Sequence, residues 1–392
     1  MEFTRILPIP KSSFLLLGPR GTGKSTIIRT QLPTHLEIDL LKSKVFLPLS
    51  ANPSLLADWT AKVPAGGWVF VDEIQKIPAL LDEVQSIYEE RKIHFALSGS
   101  SARKLRRTGA NLLAGRALSK KLFTLTYGEY NQHCPIDDAI DWGTLPKTIL
   151  APNDRADFLS TYVETYLREE LVEESLIRKI EPFSRFLNLS GQYNGQILNI
   201  ENIARESHLG RSTITKYFEI LEETLIGQRL ECLQAGYNKK ELTHPKFYLF
   251  DSGVARACAN LAHDEIDSVW RGFAFETLVL NEIRAMNHYL KKNRPLFYYK
   301  YSGGYEIDIV IENTAKTMQR KRSLTAIEIK NTTRWDKRWN DPLIEFQNRS
   351  KGEVQRILGI YRGKEILNYG SLKILPVETF FQNLANTKLG YL

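Results

Sequence analysis

Residues 13–29 of this 392-residue chain read SFLLLGPRGTGKSTIIR: a short apolar run, a glycine-rich turn, and residues that continue as a helix. The turn fits G-x-x-x-x-G-K-[ST] through Gly18, Pro19, Arg20, Gly21, Thr22, Gly23, Lys24 and Ser25, with Thr26 following. In this spacing the glycines let backbone N–H groups curl around phosphate oxygens. Lys24 supplies a point charge to the β- and γ-phosphates, and the Ser25 hydroxyl is a ligand for Mg²⁺. The segment predicts a site for ATP with Mg²⁺. A second apolar run, Trp68-Val69-Phe70-Val71, ends in Asp72-Glu73. A continuous apolar run suits a parallel strand buried on both faces, and acids at its C-terminal edge sit where ligands bind in open α/β sheets. Asp72 is the candidate Mg²⁺ ligand and Glu73 the group that polarises the attacking water. A third run, residues 93–97, ends in Ser98-Gly99-Ser100-Ser101, where Ser98 or Ser100 is a candidate γ-phosphate sensor. Ser/Gly after a strand is also common turn chemistry. Residues 103–121 hold seven basic and no acidic residues. Arg116 is a candidate arginine finger there, and Arg103, Lys104, Arg106 and Arg107 are candidates for a nucleic-acid backbone or for a solvated face.

The last third carries a second constellation. Gly272-Phe273-Ala274-Phe275-Glu276 opens a helical pattern, and two strand-like runs follow, Glu306-Ile307-Asp308-Ile309 and Ala326-Ile327-Glu328-Ile329-Lys330. Strand side chains alternate between faces, so Glu306 shares a face with Asp308, and Glu328 with Lys330. Neighbouring strands then offer Asp308, Glu328 and Lys330 to one point, with Glu276 arriving from a helix. This pattern resembles a PD-(D/E)xK nuclease. Asp308 and Glu328, with the Ile329 carbonyl, would hold Mg²⁺ or Mn²⁺ at a scissile phosphate, and Lys330 would orient or activate water. Residues 314–339 carry eight basic and two acidic residues with Trp335 and Trp339 between them. That combination suits stacking on unpaired bases, and equally a basic loop with tryptophans in the core. Gln347 and Lys351 are expected to continue this face on a helix behind the site.

The elements between these ends read as follows. Residues 155–186 repeat apolar residues at three- and four-residue spacing, which predicts an amphipathic helix, read as an ATPase lid. Residues 200–233 predict a helix, a turn at Leu209-Gly210, a second helix from about Ser212 and a return strand, a winged-helix pattern. Arg211, Thr213 and Lys216 open the second helix, but Glu219, Glu222 and Glu223 follow. A net-negative module is repelled by a duplex, so packing or oligomer contact is the favoured role. His244 and Asp251 are read as structural. The formal charge of +8 divides into +5 over residues 1–150, −6 over 151–270 and +9 over 271–392. A basic end is an electrostatic footprint for a polyanion. The cysteines Cys134, Cys232 and Cys258 are few, odd in number and widely spaced, which fits a reducing compartment rather than a disulfide-stapled module and gives no zinc-binding spacing. No apolar run is long enough for a membrane span.

Residues 1 to about 150 resemble the AAA-type ATPase domain of a large prokaryotic family of two-part proteins. GPRGTGKST, WVFVDEIQKI, LSGSSA, LLAGRA and the GTLP at Gly143–Pro146 occur in matching order. The carboxy-terminal landmarks are YLREEL at Tyr166–Leu171, PKFYLFDSGV at Pro245–Val254 and GFAFETLV at Gly272–Val279. The resemblance implies an α/β protein with three parts: a P-loop AAA-type core over 1–150, a helical lid and winged helix over 151–265, and a restriction-endonuclease-like α/β domain over 266–392. It further implies a ring, most simply a hexamer, with Arg116 or a neighbour reaching the next subunit's nucleotide. The expected protein is cytoplasmic, hydrolyses ATP and processes DNA, branched or at a single-strand/double-strand junction. The rival expectation is a nucleotide switch of signalling or defence whose nuclease-like domain only binds DNA or a protein partner.

Overall fold

The computed structural model describes residues 3–101, 118–167, 180–234, 236, 244–300, 304–318 and 320–385. Arg103, Lys104, Arg106, Arg107 and Arg116 lie outside them, as do residues 168–179 of the expected lid. The chain forms two compact units, one of residues 4–124 and 219–226, the other of 1–3, 125–218 and 227–392.

The first unit is built on a five-stranded sheet. Its strands are β1 (Phe14–Leu17), β2 (Thr34–Asp39), β3 (Trp68–Asp72), β4 (His94–Gly99) and β5 (Leu118–Lys121), in the order β2-β3-β4-β1-β5. Every pairing is parallel. Consequently all C-terminal strand ends lie along one edge of the sheet. β1 and β3 are buried along their whole length, as their unbroken apolar runs require. Leu15, Val69, Val71, Phe95 and Leu97 enter a core that also takes Leu80, Leu81, Val84 and Ile87 from the helix Leu80–Arg91. β4 runs through Gly99, so Ser98 is a strand residue rather than part of the turn.

The second unit contains an eight-stranded mixed sheet. Its strands are β6 (Gly227–Cys232), β7 (Lys246–Leu249), β8 (Leu296–Lys300), β9 (Glu306–Thr314), β10 (Ser323–Lys330), β11 (Val354–Tyr361), β12 (Leu367–Tyr369) and β13 (Leu372–Pro376). Their order is β12-β13-β11-β10-β9-β8-β6-β7. Strands of the acidic middle stretch thus continue the sheet that carries Asp308 and Glu328. The helix Ser268–Tyr289 precedes β8 and is buried along most of its length. The helices Ile200–Ser207 and Arg211–Glu223 flank a turn at His208–Gly210, and the antiparallel pair β6–β7 follows. Helix Ile180–Gln192 packs Phe183 and Phe186 against Tyr217 and Phe218. Cys134, Cys232 and Cys258 are free and buried, and among the described residues no helix is long and apolar enough to cross a membrane.

Two of the motifs behind the resemblance turn out to be one joint within this unit. Asp251 caps the helix Ser252–Cys258 by accepting the Val254 N–H at 3.1 Å, and its other oxygen accepts the Thr144 N–H at 2.7 Å. Gly143 has φ 73°, and a Cβ there would overlap the Asp251 carboxylate; a Cβ at Gly253 would overlap the Trp142 carbonyl. GTLP and FDSGV therefore record a close backbone approach, not a reaction centre. Gly370, at φ 61° with nothing near its missing Cβ, is the internal control: G370A is expected to cost only the left-handed backbone strain, roughly 1–2 kcal/mol. G143A adds the overlap and should lower the thermal midpoint clearly more, as calorimetry of the two variants will show.

Glu282, on the long helix, accepts the Tyr127 N–H at 2.9 Å and is 5% exposed. Burial pushes its carboxyl up to about 8. A folded pKa above the unfolded one means the native state holds the extra proton, so this group's contribution to stability falls as pH rises from about 4.5 to 8. E282Q keeps the acceptor and removes the charge. It should leave the midpoint nearly unchanged at about pH 3.5, below the unfolded pKa, and raise it at about pH 8.5, on a scale of about 2–4 °C per kcal/mol.

Candidate nucleotide site and carboxylate–lysine centre

In the first unit the phosphate-binding segment joins β1 to the helix Lys24–Gln31. Gly21 and Gly23 have φ 79° and 92°, the left-handed region that glycine enters freely. A Cβ at Gly18 would overlap the Leu122 carbonyl, so this position is glycine for lack of room. Lys24 is 5% exposed and its Nζ donates to the Gly18 and Pro19 carbonyls at 2.9 and 3.1 Å. Thr22 Oγ1 donates to Pro19 O at 2.8 Å, which tightens the turn.

Asp72 ends β3 and is the hub of the site. Ser25 Oγ donates to its Oδ2 at 2.7 Å, and Ser98 Oγ donates to its Oδ1. Arg29 lies 3.7 Å from the same carboxylate. The Ser25–Asp72 oxygen pair is the hard donor set that Mg²⁺ takes, and with the glycine cradle and Lys24 it fits a magnesium nucleotide. Ser98 also accepts the Glu73 N–H at 3.2 Å. Its hydroxyl is therefore turned onto the Asp72-Glu73 pair, whereas Ser100 is linked to the Glu73 side chain through Gln75. Gln75, which the sequence reading passed over, donates from Nε2 to the Glu73 carboxylate and to Ser100 Oγ, the latter at 3.0 Å.

In the second unit β9 and β10 are antiparallel, with Val310 opposite Ala326 and Ile309 opposite Ile327. One residue further on, Asp308 and Glu328 come together, and Asp308 Oδ2 accepts the Ile329 N–H at 2.7 Å. Lys330 Nζ contacts Glu328 and lies 3.7 Å from Asp308. The expected trio of Asp308, Glu328 and Lys330 thus shares one place. Glu276, on the helix Ser268–Tyr289, is nearby but engaged elsewhere: Lys246 Nζ donates to it at 2.9 Å and Tyr248 Oη donates to it as well. Lys246 also pairs with Glu306 at 2.7 Å and lies 3.8 Å from Asp308. Its side chain is 3% exposed. This lysine was not among the sequence candidates, although one cation in the aromatic run Lys246-Phe247-Tyr248-Leu249 signals a buried charge that must find acids.

The charges follow from this packing. Burial works against the Lys246 charge, but Glu276, Tyr248, Asp308 and Glu306 outweigh it and hold the ammonium well above its ordinary pKa. Burial, and then the nearby Asp308 carboxylate, raise both Glu276 and Glu328 above the usual carboxylate range, against the pull of Lys246 and Lys330 respectively. Glu328 Oε2 is buried and without a hydrogen-bond partner. Asp308 and Glu328 therefore supply oxygen donors that suit Mg²⁺ or Mn²⁺, with one acceptor still to be satisfied. Among the described residues, however, no three Asp, Glu, His or Cys side chains form a group that could hold a metal ion.

Trp335 is a packing residue: its Nε1 donates to Asn340 Oδ1 at 2.8 Å, and its ring fills the space over Gly359, the residue paired with Glu328 on β11. Gln347, on the helix Asn340–Arg349, ties Val354 O and Ser371 Oγ, while Lys351 lies beyond the helix end. Neither belongs to the carboxylate centre.

Three family models match in sequence. Residues 11–131 match an AAA domain. The chain carries an AAA-type ATPase domain, followed by two domains of unknown function, DUF8612 over 135–265 and DUF4143 over 271–380. Uncharacterized proteins of Mycobacterium bovis and Mycobacterium tuberculosis are each 24% identical over 310 residues, 76% of this chain and 67% of theirs. An uncharacterized protein of Haemophilus influenzae is 23% identical over 276 residues, 62% of this chain and 68% of its own length. Among solved structures, the ORC1 protein of Aeropyrum pernix in complex with DNA gives a TM-score of 0.26 at 12% identity, covering 64% of this chain and 87% of that one. Can2 from Sulfobacillus thermosulfidooxidans in complex with cyclic tetra-adenylate gives 0.23 at 10%, covering 96% and 99%. At those scores neither likeness bears on the role of this chain.

The Lys246 contacts make a direct prediction. Removing one member of a buried ion network leaves uncompensated charge, typically a loss of 3–5 kcal/mol. K246M is expected to lower the midpoint of thermal unfolding far more than K300M, since Lys300 pairs with Glu306 at a site about one-third exposed; differential scanning calorimetry of both variants at pH 7 will test this.

Proposed function

We propose that this protein is an ATP-hydrolysing, DNA-binding motor coupled to a metal-dependent nuclease. Lys24, Ser25, Asp72 and the glycine turn hold the magnesium nucleotide, and Glu73 orients and polarises the attacking water. Mg²⁺ supplies charge neutralisation on the phosphates there. At the second centre Asp308 and Glu328 would hold a cation, which when bound would supply charge neutralisation at a scissile phosphate, and Lys330 stands beside them to orient water. The observation that carries this reading is the meeting of Asp308, Glu328 and Lys330, from two strands, at one buried place. The basic C-terminal third supplies affinity for a polyanion. Branched or junction DNA is the preferred substrate, because a ring motor needs an entry point, and a cytoplasmic hexamer completed by Arg116 is the assembly this reading implies.

A second reading draws on Lys246. Three of the four acids at the centre are within ion-pair distance of this one buried lysine, which favours a centre that binds rather than cleaves, in a nucleotide switch of signalling or defence. Purified protein given Mg²⁺, ATP and forked DNA separates the two. The first reading expects K24A and E73Q to abolish ATP turnover, and D308A to abolish strand cleavage while ATP turnover persists. Cleavage that is absent in the wild type, with DNA affinity kept, would favour the switch.

A further inference from the structure

Glu73 follows directly on a buried strand, and its φ of 59° lies in the left-handed region that a non-glycine residue occupies only where its surroundings dictate it. Two neighbours do so. Ser98 Oγ takes its N–H, and the Gln75 amide takes its carboxylate. Gln75 is 6% exposed, and its Oε1 is buried without a hydrogen-bond partner. An apolar side chain of the same length would fill this space without an unmet acceptor, so packing alone does not account for an amide here. What the amide adds is a donor that reaches two groups, the Glu73 carboxylate and Ser100 Oγ. Gly99 lies between the two serines, and a Cβ there would stand 2.8 Å from Gln75 Oε1. The Gly99 carbonyl in turn accepts the Gly18 N–H at 3.3 Å, so the loop that Gln75 grips abuts the phosphate-binding turn.

We propose that Gln75 is a positioning residue for hydrolysis, tying the Glu73 carboxylate to the Ser98–Ser100 segment so that its orientation follows that segment. The N–H given to Ser100 occupies an oxygen lone pair and leaves the hydroxyl proton for an acceptor such as a phosphoryl oxygen, so one amide sets both the water-polarising carboxylate and the serine next to it. Nucleotide affinity, which comes from the glycine turn, Lys24 and Ser25, does not pass through Gln75. This inference rests on reading the site as an ATPase.

The test is ATP turnover and nucleotide affinity in the full chain. Q75M keeps the buried volume and removes both hydrogen bonds. It should lower kcat at least tenfold while the Kd for a fluorescent ATP analogue stays within twofold. S100A, which removes a single oxygen, should lower kcat severalfold with the same unchanged Kd, and the double variant should be no slower than Q75M within twofold. A Q75M or S100A kcat within twofold of wild type, parallel loss of kcat and affinity, or multiplying effects in the double variant would overturn the inference. With E73Q as control, turnover that E73Q abolishes and Q75M spares sinks this inference alone, whereas a wild type without turnover sinks the ATPase reading with it.

Discussion

A carboxylate held inside a protein must have its charge met, and both centres of this chain are arranged around that requirement. At Asp72 two serine hydroxyls meet it, Ser25 from the phosphate-binding helix and Ser98 from the neighbouring strand. Arg29 stands a little further off, 3.7 Å from the same carboxylate. At the second centre ammonium groups meet it, Lys246 and Lys330 among Glu276, Glu306, Asp308 and Glu328. Four acids share those two lysines, with Lys300 reaching only the outermost acid, Glu306. Burial, and then the nearby Asp308 carboxylate, is why Glu276 and Glu328 bind protons more tightly than ordinary carboxylates, and one Glu328 oxygen has no partner.

The topology follows from where these acids must stand. A parallel sheet places the ends of β1, β3 and β4 on one edge, so the glycine turn, Asp72 and Ser98 converge without any long-range loop. The second centre needs an antiparallel pair to bring Asp308 and Glu328 together, a long buried helix to bring Glu276, and β7 to bring Lys246. It is accordingly assembled from residues as far apart as 246 and 330. The Asp251 joint serves a different end. It locks the backbone near Gly143 to the start of the helix Ser252–Cys258, and sequence signatures at both positions mark that close approach.

How far the sequence could be read depended on how local each signal is. The Gly18–Ser25 turn is written in eight consecutive residues, and its strand, turn and helix lie where that spacing puts them. Strand alternation sufficed to place Asp308 with Glu328 and Lys330. Lys246 was passed over because its partners are distant in the chain and become neighbours only through the β6–β7 pair and the helix that carries Glu276. Gln75 was hidden for the opposite reason: two residues beyond Glu73 it reads as an ordinary polar position, and only the left-handed turn at Glu73 brings its amide back onto that carboxylate. Trp335, in a basic stretch, suited base stacking and core packing equally, and only the space over Gly359 that its ring fills shows it packed.

The proposed function requires the carboxylate–lysine centre to bind a metal ion of its own, separate from the nucleotide site. Mn²⁺ titration of the nucleotide-free protein, followed by electron paramagnetic resonance, addresses it most directly, with K24A and D308A measured beside the wild type. The account predicts bound Mn²⁺ that persists in K24A and disappears in D308A. Mn²⁺ that fails to bind without nucleotide, or binds D308A as well as wild type, would contradict it.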